Sequence, residues 1–157
     1  MLMRASEYEK RLQRLEDIQA IKDLHREYVY WVNECNWDKV IDCFTENCSV
    51  NIGKWGLRKG KESLQKLFKQ DIAGNNQGKG RDGHFVVQPV ITVNEDCATG
   101  HWLMYIMISN PETGQALRWA HGRHDAEYVR VNREWKIRSI VWTNPWPREL
   151  GSFPKLG

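Results

Sequence analysis

The chain has 157 residues, enough for one domain with a core and an internal cavity. Its 23 Lys and Arg residues against 20 Asp and Glu residues give a formal net charge of +3, and their scattered positions argue against a nucleic-acid-binding stripe. The four cysteines form no Cys-x-x-Cys pair, and no apolar run is long enough to span a membrane, so we expect a cytoplasmic protein without a metal site or a membrane partner.

The first part of the sequence has a helical pattern. Apolar residues recur at three- and four-residue steps from Leu12 to Trp31, behind a capping box that begins at Ser6, which predicts one long helix. Residues 1–16 are rich in charge, and we expect them to extend from the domain and pack against another subunit. A second, short helix is predicted to begin near Asn36, and a third to cover residues 61–72.

The second part of the sequence has a strand pattern. A short strand is predicted at residues 48–52, and four longer strands are predicted at residues 83–93, 98–109, 115–131 and 134–143. Hairpin-length turns between the long strands indicate an antiparallel meander. Helices laid across such a curved sheet would leave a blind pocket. The glycine-rich loop at residues 74–83 is a candidate lid for it.

Several short motifs occur in an order and spacing that resemble a known family. They are Asp17-Ile18-Gln19-Ala20-Ile21, Trp37-Asp38, Gly83-His84-Phe85, Gly122-Arg123-His124 and Trp135-Lys136-Ile137. Together they resemble the SnoaL-like branch of the NTF2-like superfamily, nearest the scytalone dehydratase, bile-acid 7α-dehydratase and hexachlorocyclohexane dehydrochlorinase group. The resemblance implies an α+β cone, in which about three helices pack on a curved antiparallel sheet, and a homotrimer or homodimer. Residues 1–157 would form a single domain, with residues 144–157 as an irregular tail.

The resemblance also implies pocket chemistry that needs no cofactor. In the dehydratases of this group, a histidine that opens the first long strand works with an aspartate near the end of the first helix. The histidine matches His84, but the position of the aspartate is occupied by Asn33. A carboxylate fixes the tautomer of the imidazole and stabilises the imidazolium, whereas an amide brings no charge. Asn33 could contact a ligand or could instead cap the first helix.

A second histidine is a candidate for the same pocket. Period-two alternation places His124 on one face of its strand together with Tyr128 and Arg130. If His124 lines the cone, one histidine would accept a proton while the other, or Arg130, would stabilise an oxyanion. His25 stands next to the charged residues Arg26 and Glu27 on the first helix and is expected in solvent. The other expected substrate contacts are Tyr28, Tyr30, Trp55, Trp102, Met104, Ile108 and Trp142.

These residue types support general acid/base chemistry. We therefore expect a lyase or isomerase, such as a dehydratase, that acts on a hydrophobic ring-bearing molecule of polyketide or steroid type. The histidines could instead be structural residues of their strands, and the tryptophans could simply pack in the core. Two alternatives follow: a small-molecule-binding protein without catalysis, and a protein-interaction module that uses the exposed sheet. A pocket filled by side chains would favour the second alternative.

Overall fold

A computed structural model of the protein describes residues 5–75, 81–110 and 112–145. Residues 76–80 of the candidate lid (74–83) and residues 146–157 of the predicted tail (144–157) lie outside these ranges. The helices are α1 (Ala5–Asn33), α2 (Trp37–Asp42), α3 (Lys61–Lys66), which continues as a π-helical segment (Leu67–Ile72), and α4 (Ala73–Asn75). The strands are β1 (Phe44–Asn51), β2 (Leu57–Lys59), β3 (Gly83–Asn94), β4 (Cys97–Ser109), β5 (Ala116–Val131) and β6 (Glu134–Thr143).

The strands form one curved, open sheet of six strands in the order β2-β1-β6-β5-β4-β3. The four long strands pair as an antiparallel meander, which confirms the prediction from their short turns. One pairing differs from the expected antiparallel sheet, because β1 runs parallel to β6. The sheet is therefore mixed, and the α+β cone inferred from the resemblance is confirmed. Within the described residues, no helix has both the length and the apolar character that a bilayer span requires.

The end of α1 is a sharp turn that brings the helix terminus against the sheet. Cys35 adopts a left-handed backbone conformation with φ of 54°, and the side chain of Asn36 then caps α2 by accepting a hydrogen bond from the backbone of Lys39 at 3.3 Å. The asparagine at position 33 is the last residue of α1. Its side chain therefore projects from a fixed point toward the first residues of β3.

The core lies between the second half of α1 and the inner face of the sheet. Ile21, Tyr28 and Val29 are buried on the helix, whereas Leu12 and Leu15 are 58% and 64% exposed. The expectation that residues 1–16 extend from the domain and pack against another subunit stays a prediction. The buried partners from the strands include Phe44, Val50, Ala126, Tyr128, Ile137 and Ile140.

The outer face of the sheet also carries exposed apolar side chains. Phe85 on β3 pairs in register with Tyr105 on β4, and Trp119 on β5 packs near Phe85 with ring centroids 5.8 Å apart. All three side chains are at least 41% exposed. The homo-oligomer expected from the sequence remains a prediction, and this face is where apolar surface is available for it.

Candidate functional site

A cavity of about 580 Å³ opens between the inner face of the sheet and the helices. This volume lies in the range of small-molecule sites, and side chains do not fill it. Most of its walls are apolar or aromatic. The lining includes Tyr28, Val29, Val32, Trp37, Ile52, Trp55, Phe68, Ile72, His84, Met104, Ile106, Ile108, His124 and Trp142.

His84 lines this cavity and is held by Asn33. The Nδ2 group of Asn33 donates to the backbone oxygen of His84 at 2.8 Å, and its Oδ1 atom accepts from the backbone N–H of His84 at 2.8 Å. The same Oδ1 atom lies 3.1 Å from Nδ1 of the His84 ring. Because β3 is an edge strand, Asn33 pairs with backbone groups of His84 as a neighbouring strand would.

These contacts determine the protonation of the His84 ring. The backbone N–H of His84 can only donate, so the atom of Asn33 that it meets is the amide oxygen. That oxygen cannot donate, so Nδ1 of His84 carries the ring proton and Nε2 carries the lone pair. Burial lowers the pKa of His84, and the nearby Asp82 carboxylate opposes this effect only in part. The ring is therefore neutral at neutral pH, with Nε2 as its basic atom.

The second histidine of the cavity, His124, is only 2% exposed. Its Nδ1 atom lies 3.3 Å from Nε2 of His25, and it shares the cavity lining with His84. Burial, followed by repulsion from His84, lowers the pKa of His124 to about 4. A neutral imidazole here can offer either a donor or an acceptor to a bound molecule, depending on its tautomer.

The expectation that His25 lies in solvent is wrong. Its side chain is completely buried, and its ring stacks on Trp102 with centroids 4.5 Å apart. Its Nδ1 atom lies 2.8 Å from the hydroxyl oxygen of Tyr128. A sequence signal was available, because His25 stands four residues after Ile21 and three before Tyr28 on the apolar face of α1.

Trp142 forms part of the cavity wall because a glycine faces it. A Cβ atom added to Gly122 would lie 2.2 Å from the Trp142 indole, so the ring occupies the space that a side chain would need. The indole also meets the ring of His124 edge to face, with centroids 5.8 Å apart. Gly122 thus lets an aromatic wall lie against β5 beside His124.

Three expected substrate contacts do not line the cavity. Tyr30 is 55% exposed on α1, and Trp102 is 1% exposed in the core, where its Nε1 donates to the Tyr128 hydroxyl at 2.9 Å. Arg130 pairs with Asp17 at 2.8 Å and with Asp96 at 3.0 Å, so its guanidinium binds one buried and one exposed carboxylate. By contrast, the structure places Tyr28, Trp55, Met104, Ile108 and Trp142 in the lining.

Charged residues that the sequence did not single out also line the cavity. Among the described residues of the lining, Lys54, Arg81 and Arg118 contribute three cations against the single carboxylate of Asp82. Asp82 accepts a hydrogen bond from the backbone N–H of Ser109 at 2.9 Å. Neither Arg81 nor Arg118 forms an ion pair with another described residue, and both are exposed. The outer part of the cavity is therefore electropositive.

Among the described residues, no group of three or more His, Cys, Asp or Glu side chains is arranged to hold a metal ion.

Comparisons with known proteins agree with this architecture. The family model of the SnoaL-like domain matches residues 13–141. An NTF2-like protein from Novosphingobium aromaticivorans superimposes with a TM-score of 0.76 at 15% identity, covering 92% of each chain. A hexachlorocyclohexane dehydrochlorinase, LinA type 2, gives 0.74 at 17% identity, covering 92% of this chain and 98% of its own. An NTF2-like protein of unknown function from Pseudomonas putida gives 0.67 at 17% identity, covering 82% and 87%. No curated protein matches the sequence significantly. At these identities the solved structures support the fold alone.

Proposed function

The chain belongs to the SnoaL-like domain family, and we propose that it is a cofactor-independent lyase or isomerase that acts on a hydrophobic, ring-bearing small molecule. The observation that carries this proposal is the contact between Asn33 and His84. This contact leaves Nε2, with its lone pair, as the reactive atom of His84, which lines a largely apolar cavity. A neutral imidazole in a desolvated site is a competent general base. A structural neighbour, LinA, is named as a dehydrochlorinase, which fits elimination chemistry.

The chemistry available to His84 is a proton transfer from carbon. Nε2 would take a C–H proton, and the electron pair of that bond would form a C=C bond. In a dehydration, the neighbouring C–O bond breaks, and the departing hydroxide takes a proton from the imidazolium and leaves as water. In an isomerisation, the imidazolium returns the proton to a different carbon. Both reactions end with His84 neutral, as they began.

The amide at position 33 restricts the substrates that such a base can use. Asn33 fixes the tautomer of His84 as a carboxylate would, but it provides no charge to stabilise the imidazolium. Burial also lowers the pKa of His84, which makes the ring a weaker base. The substrate should therefore carry an already acidified C–H bond, such as one beside a ring carbonyl.

The charges at the cavity favour an anionic group on the substrate. Arg81 and Arg118 have exposed guanidinium groups without a carboxylate partner among the described residues, and Lys54 adds a third cation. A carboxylate on the ring compound would meet these groups while the ring occupies the apolar interior. We therefore include a carboxylate-bearing ring ketone in the proposed substrate class.

The test is a panel of ring ketones and β-hydroxy ketones, each with and without a carboxylate, assayed for both turnover and affinity. We expect at least one compound to be turned over, and we expect His84→Gln to reduce kcat by at least about 100-fold with little effect on affinity. His101→Gln is the matched control, because His101 is an exposed histidine outside the cavity lining. Turnover that His84→Gln leaves unchanged would contradict the proposal.

A second candidate is a small-molecule-binding protein without catalysis. The absence of a carboxylate at Asn33 favours it, because binding needs no charge to support an imidazolium. The same panel separates the two functions. The binding protein would be supported if compounds of the panel bind, none is turned over, and their affinity is the same for His84→Gln as for the unmodified protein.

A further inference from the structure

A row of four buried side chains runs from the core to the cavity. Nε1 of Trp102 donates to the hydroxyl oxygen of Tyr128 at 2.9 Å, and that oxygen lies 2.8 Å from Nδ1 of His25. Nε2 of His25 lies 3.3 Å from Nδ1 of His124. None of the four is more than 2% exposed. We call these residues, Trp102, Tyr128, His25 and His124, the buried chain.

The direction of the hydrogen bonds in this chain follows from its first member. The indole N–H of Trp102 can only donate, so the Tyr128 oxygen accepts from it. Among the described residues, the only other hydrogen-bond partner of this buried hydroxyl is Nδ1 of His25, so the phenol proton is donated to that nitrogen. A neutral imidazole that accepts at Nδ1 carries its proton at Nε2, so His25 donates to Nδ1 of His124. His124 then carries its own proton at Nε2.

The protonation states agree with this order. Burial, followed by repulsion from His124, lowers the pKa of His25 far below its ordinary value. Burial also lowers the pKa of His124. Both rings are therefore neutral at neutral pH, and each has one donor and one acceptor nitrogen, as a directed chain requires.

The free end of the chain faces the cavity. Within the described residues, the buried side-chain polar atoms without a hydrogen-bond partner are Thr45 Oγ1 and Arg58 Nε. Nε2 of His124 has no hydrogen-bond partner among the described residues either, and because it is not one of these fully buried atoms, it keeps some accessible surface. Because His124 lines the cavity and is otherwise enclosed, that surface belongs to the cavity.

We infer that Tyr128 and His25 are positioning residues that fix His124 as a hydrogen-bond donor, with its Nε2–H directed at an oxygen atom of the substrate. This inference rests on the proposed function of the cavity. It gives the two cavity histidines opposite roles, since Asn33 leaves a lone pair on Nε2 of His84 and the buried chain leaves a proton on Nε2 of His124. A carbonyl oxygen at His124 would gain negative charge as His84 removes the neighbouring proton, and a donor placed there stabilises that charge.

The two assignments together narrow the substrate class. The molecule should carry a hydrogen-bond-accepting oxygen on the carbon next to the acidic C–H, as in a ring ketone. A compound with an acidic C–H but without such an oxygen would leave the donor of His124 unpaired, which disfavours its binding and its reaction.

The direct test is the proton position on each ring in protein labelled with ¹⁵N-histidine, read by NMR without any ligand. We expect the proton on Nε2 in His25 and His124 and on Nδ1 in His84. A proton on Nδ1 of His124 in the unmodified protein would overturn the inference. This outcome does not depend on turnover, so the inference can fail while the proposed function stands, and the reverse also holds.

Variants separate positioning from mere packing. Tyr128→Phe removes the donor that orders the chain, so we expect both tautomers of His124 to be populated and kcat to fall at least about tenfold. His25→Gln keeps an acceptor for Tyr128 and a donor for His124, and it should preserve the Nε2–H tautomer and most of the activity. His25→Leu has similar bulk without polar atoms and should lose both. Equal tautomers and equal kcat in His25→Gln and His25→Leu would overturn the inference, even if Tyr128→Phe does not fold.

Discussion

Asn33 and His84 are 51 residues apart in sequence, and three hydrogen-bond contacts join the amide of one to the backbone and ring of the other. Two of the contacts hold the edge of β3 at the end of α1. The third selects the ring tautomer. The geometry of a histidine–carboxylate pair is thus present without its charge, and the consequences of that difference can be measured.

Replacing Asn33 by aspartate should restore the missing charge. A carboxylate can still accept from the backbone N–H and from Nδ1 of His84, but it has no donor for the backbone oxygen of His84. Asn33→Asp should therefore raise the pKa of His84 and increase kcat, while lowering stability. In serine proteases the reverse change costs about 10⁴ in rate, which sets an upper scale for the gain. The measurement is the pH dependence of kcat, whose acidic limb should move to higher pH.

Asn33→Leu is the matched control for the aspartate variant. It removes all three contacts with His84 without adding charge, and it should lower both kcat and stability. If Asn33→Asp leaves the acidic limb where it stands in the unmodified protein, the ring of His84 is not the titrating base.

The stability of the protein should depend on pH through its buried histidines. The folded-state pKa values of His25, His84 and His124 are all lowered from 6.5, and that of His124 reaches about 4. The unfolded chain therefore binds more protons below pH 6.5, and stability is lost as the pH falls from 6.5 toward 4. His124 alone accounts for about 3 kcal/mol on this basis.

Urea unfolding at several pH values measures this loss. His124→Gln removes one of the titrating groups, so the dependence of unfolding free energy on pH between 6.5 and 4 should become shallower. Asp17 and Asp125 also have lowered pKa values, but their ordinary value of 3.8 places their contribution below this window. A flat profile between pH 6.5 and 4 would contradict the burial of neutral histidines.

Adding one methyl group at Gly122 should change the shape of the cavity. The new Cβ atom would lie 2.2 Å from the indole of Trp142, so the ring must move from the cavity wall. We expect Gly122→Ala to cost about 1–3 kcal/mol of stability and to reduce the affinity for ring compounds at least tenfold. Gly74→Ala is the control, because nothing lies within 4 Å of its added Cβ atom and its stability change should be small. Unchanged affinity in Gly122→Ala would show that Trp142 does not contact the ligand.

The cations of the cavity should control the affinity for anionic ligands. We expect Arg118→Gln to weaken binding of a carboxylate-bearing ring compound about tenfold, and to leave its uncharged methyl ester unaffected. Arg138→Gln serves as the control, since Arg138 is exposed on β6 and lies outside the cavity lining. Calorimetry at two salt concentrations checks the effect, because the contribution of an exposed cation should decrease with added salt. Equal losses for the acid and the ester would argue against charge recognition.

Arg130 should stabilise the fold without taking part in binding. Its guanidinium lies 2.8 Å from Asp17, a carboxylate that also accepts from Nε1 of Trp135 at 3.1 Å. Burial alone would raise the pKa of Asp17, but the hydrogen bonds from Arg130 and Trp135 outweigh it, and the pKa is lowered. Arg130→Met should therefore cost about 3 kcal/mol, because it leaves a buried carboxylate without its cation. Chemical unfolding measures the cost, and a loss of ligand affinity in folded Arg130→Met protein would contradict the assignment.

Much of the fold follows from local patterns. Alternation along β5 correctly grouped Gly122, His124 and Tyr128 on the inner face, because the side-chain period of a strand is fixed. The parallel pairing of β1 with β6 did not follow, because the order of the elements along the chain does not show which distant strands pair or in which direction they run.

The contacts within the site were harder to predict from the sequence, because they join residues that are far apart along the chain. His25 is followed in sequence by two charged residues, Arg26 and Glu27. Its neighbours in space are Trp102, Tyr128 and His124, and only the helical period of α1 indicates that His25 faces them. Arg130 shares a face of β5 with His124, but it lies near the end of the strand and forms an ion pair with Asp17 there. The period-two alternation of a strand shows on which face of the sheet a side chain lies, but it does not show which residue that side chain contacts.

The most direct measurement for the central claim is deuterium exchange into a bound ring ketone in D₂O, followed by NMR. Exchange requires only that a base remove and return the acidic proton, so it reports on His84 even where no leaving group departs. The expected result is exchange catalysed by the unmodified protein and reduced at least about 100-fold in His84→Gln. Equal exchange rates in the two proteins, with the ketone bound in both, would contradict the assignment of His84 Nε2 as the base.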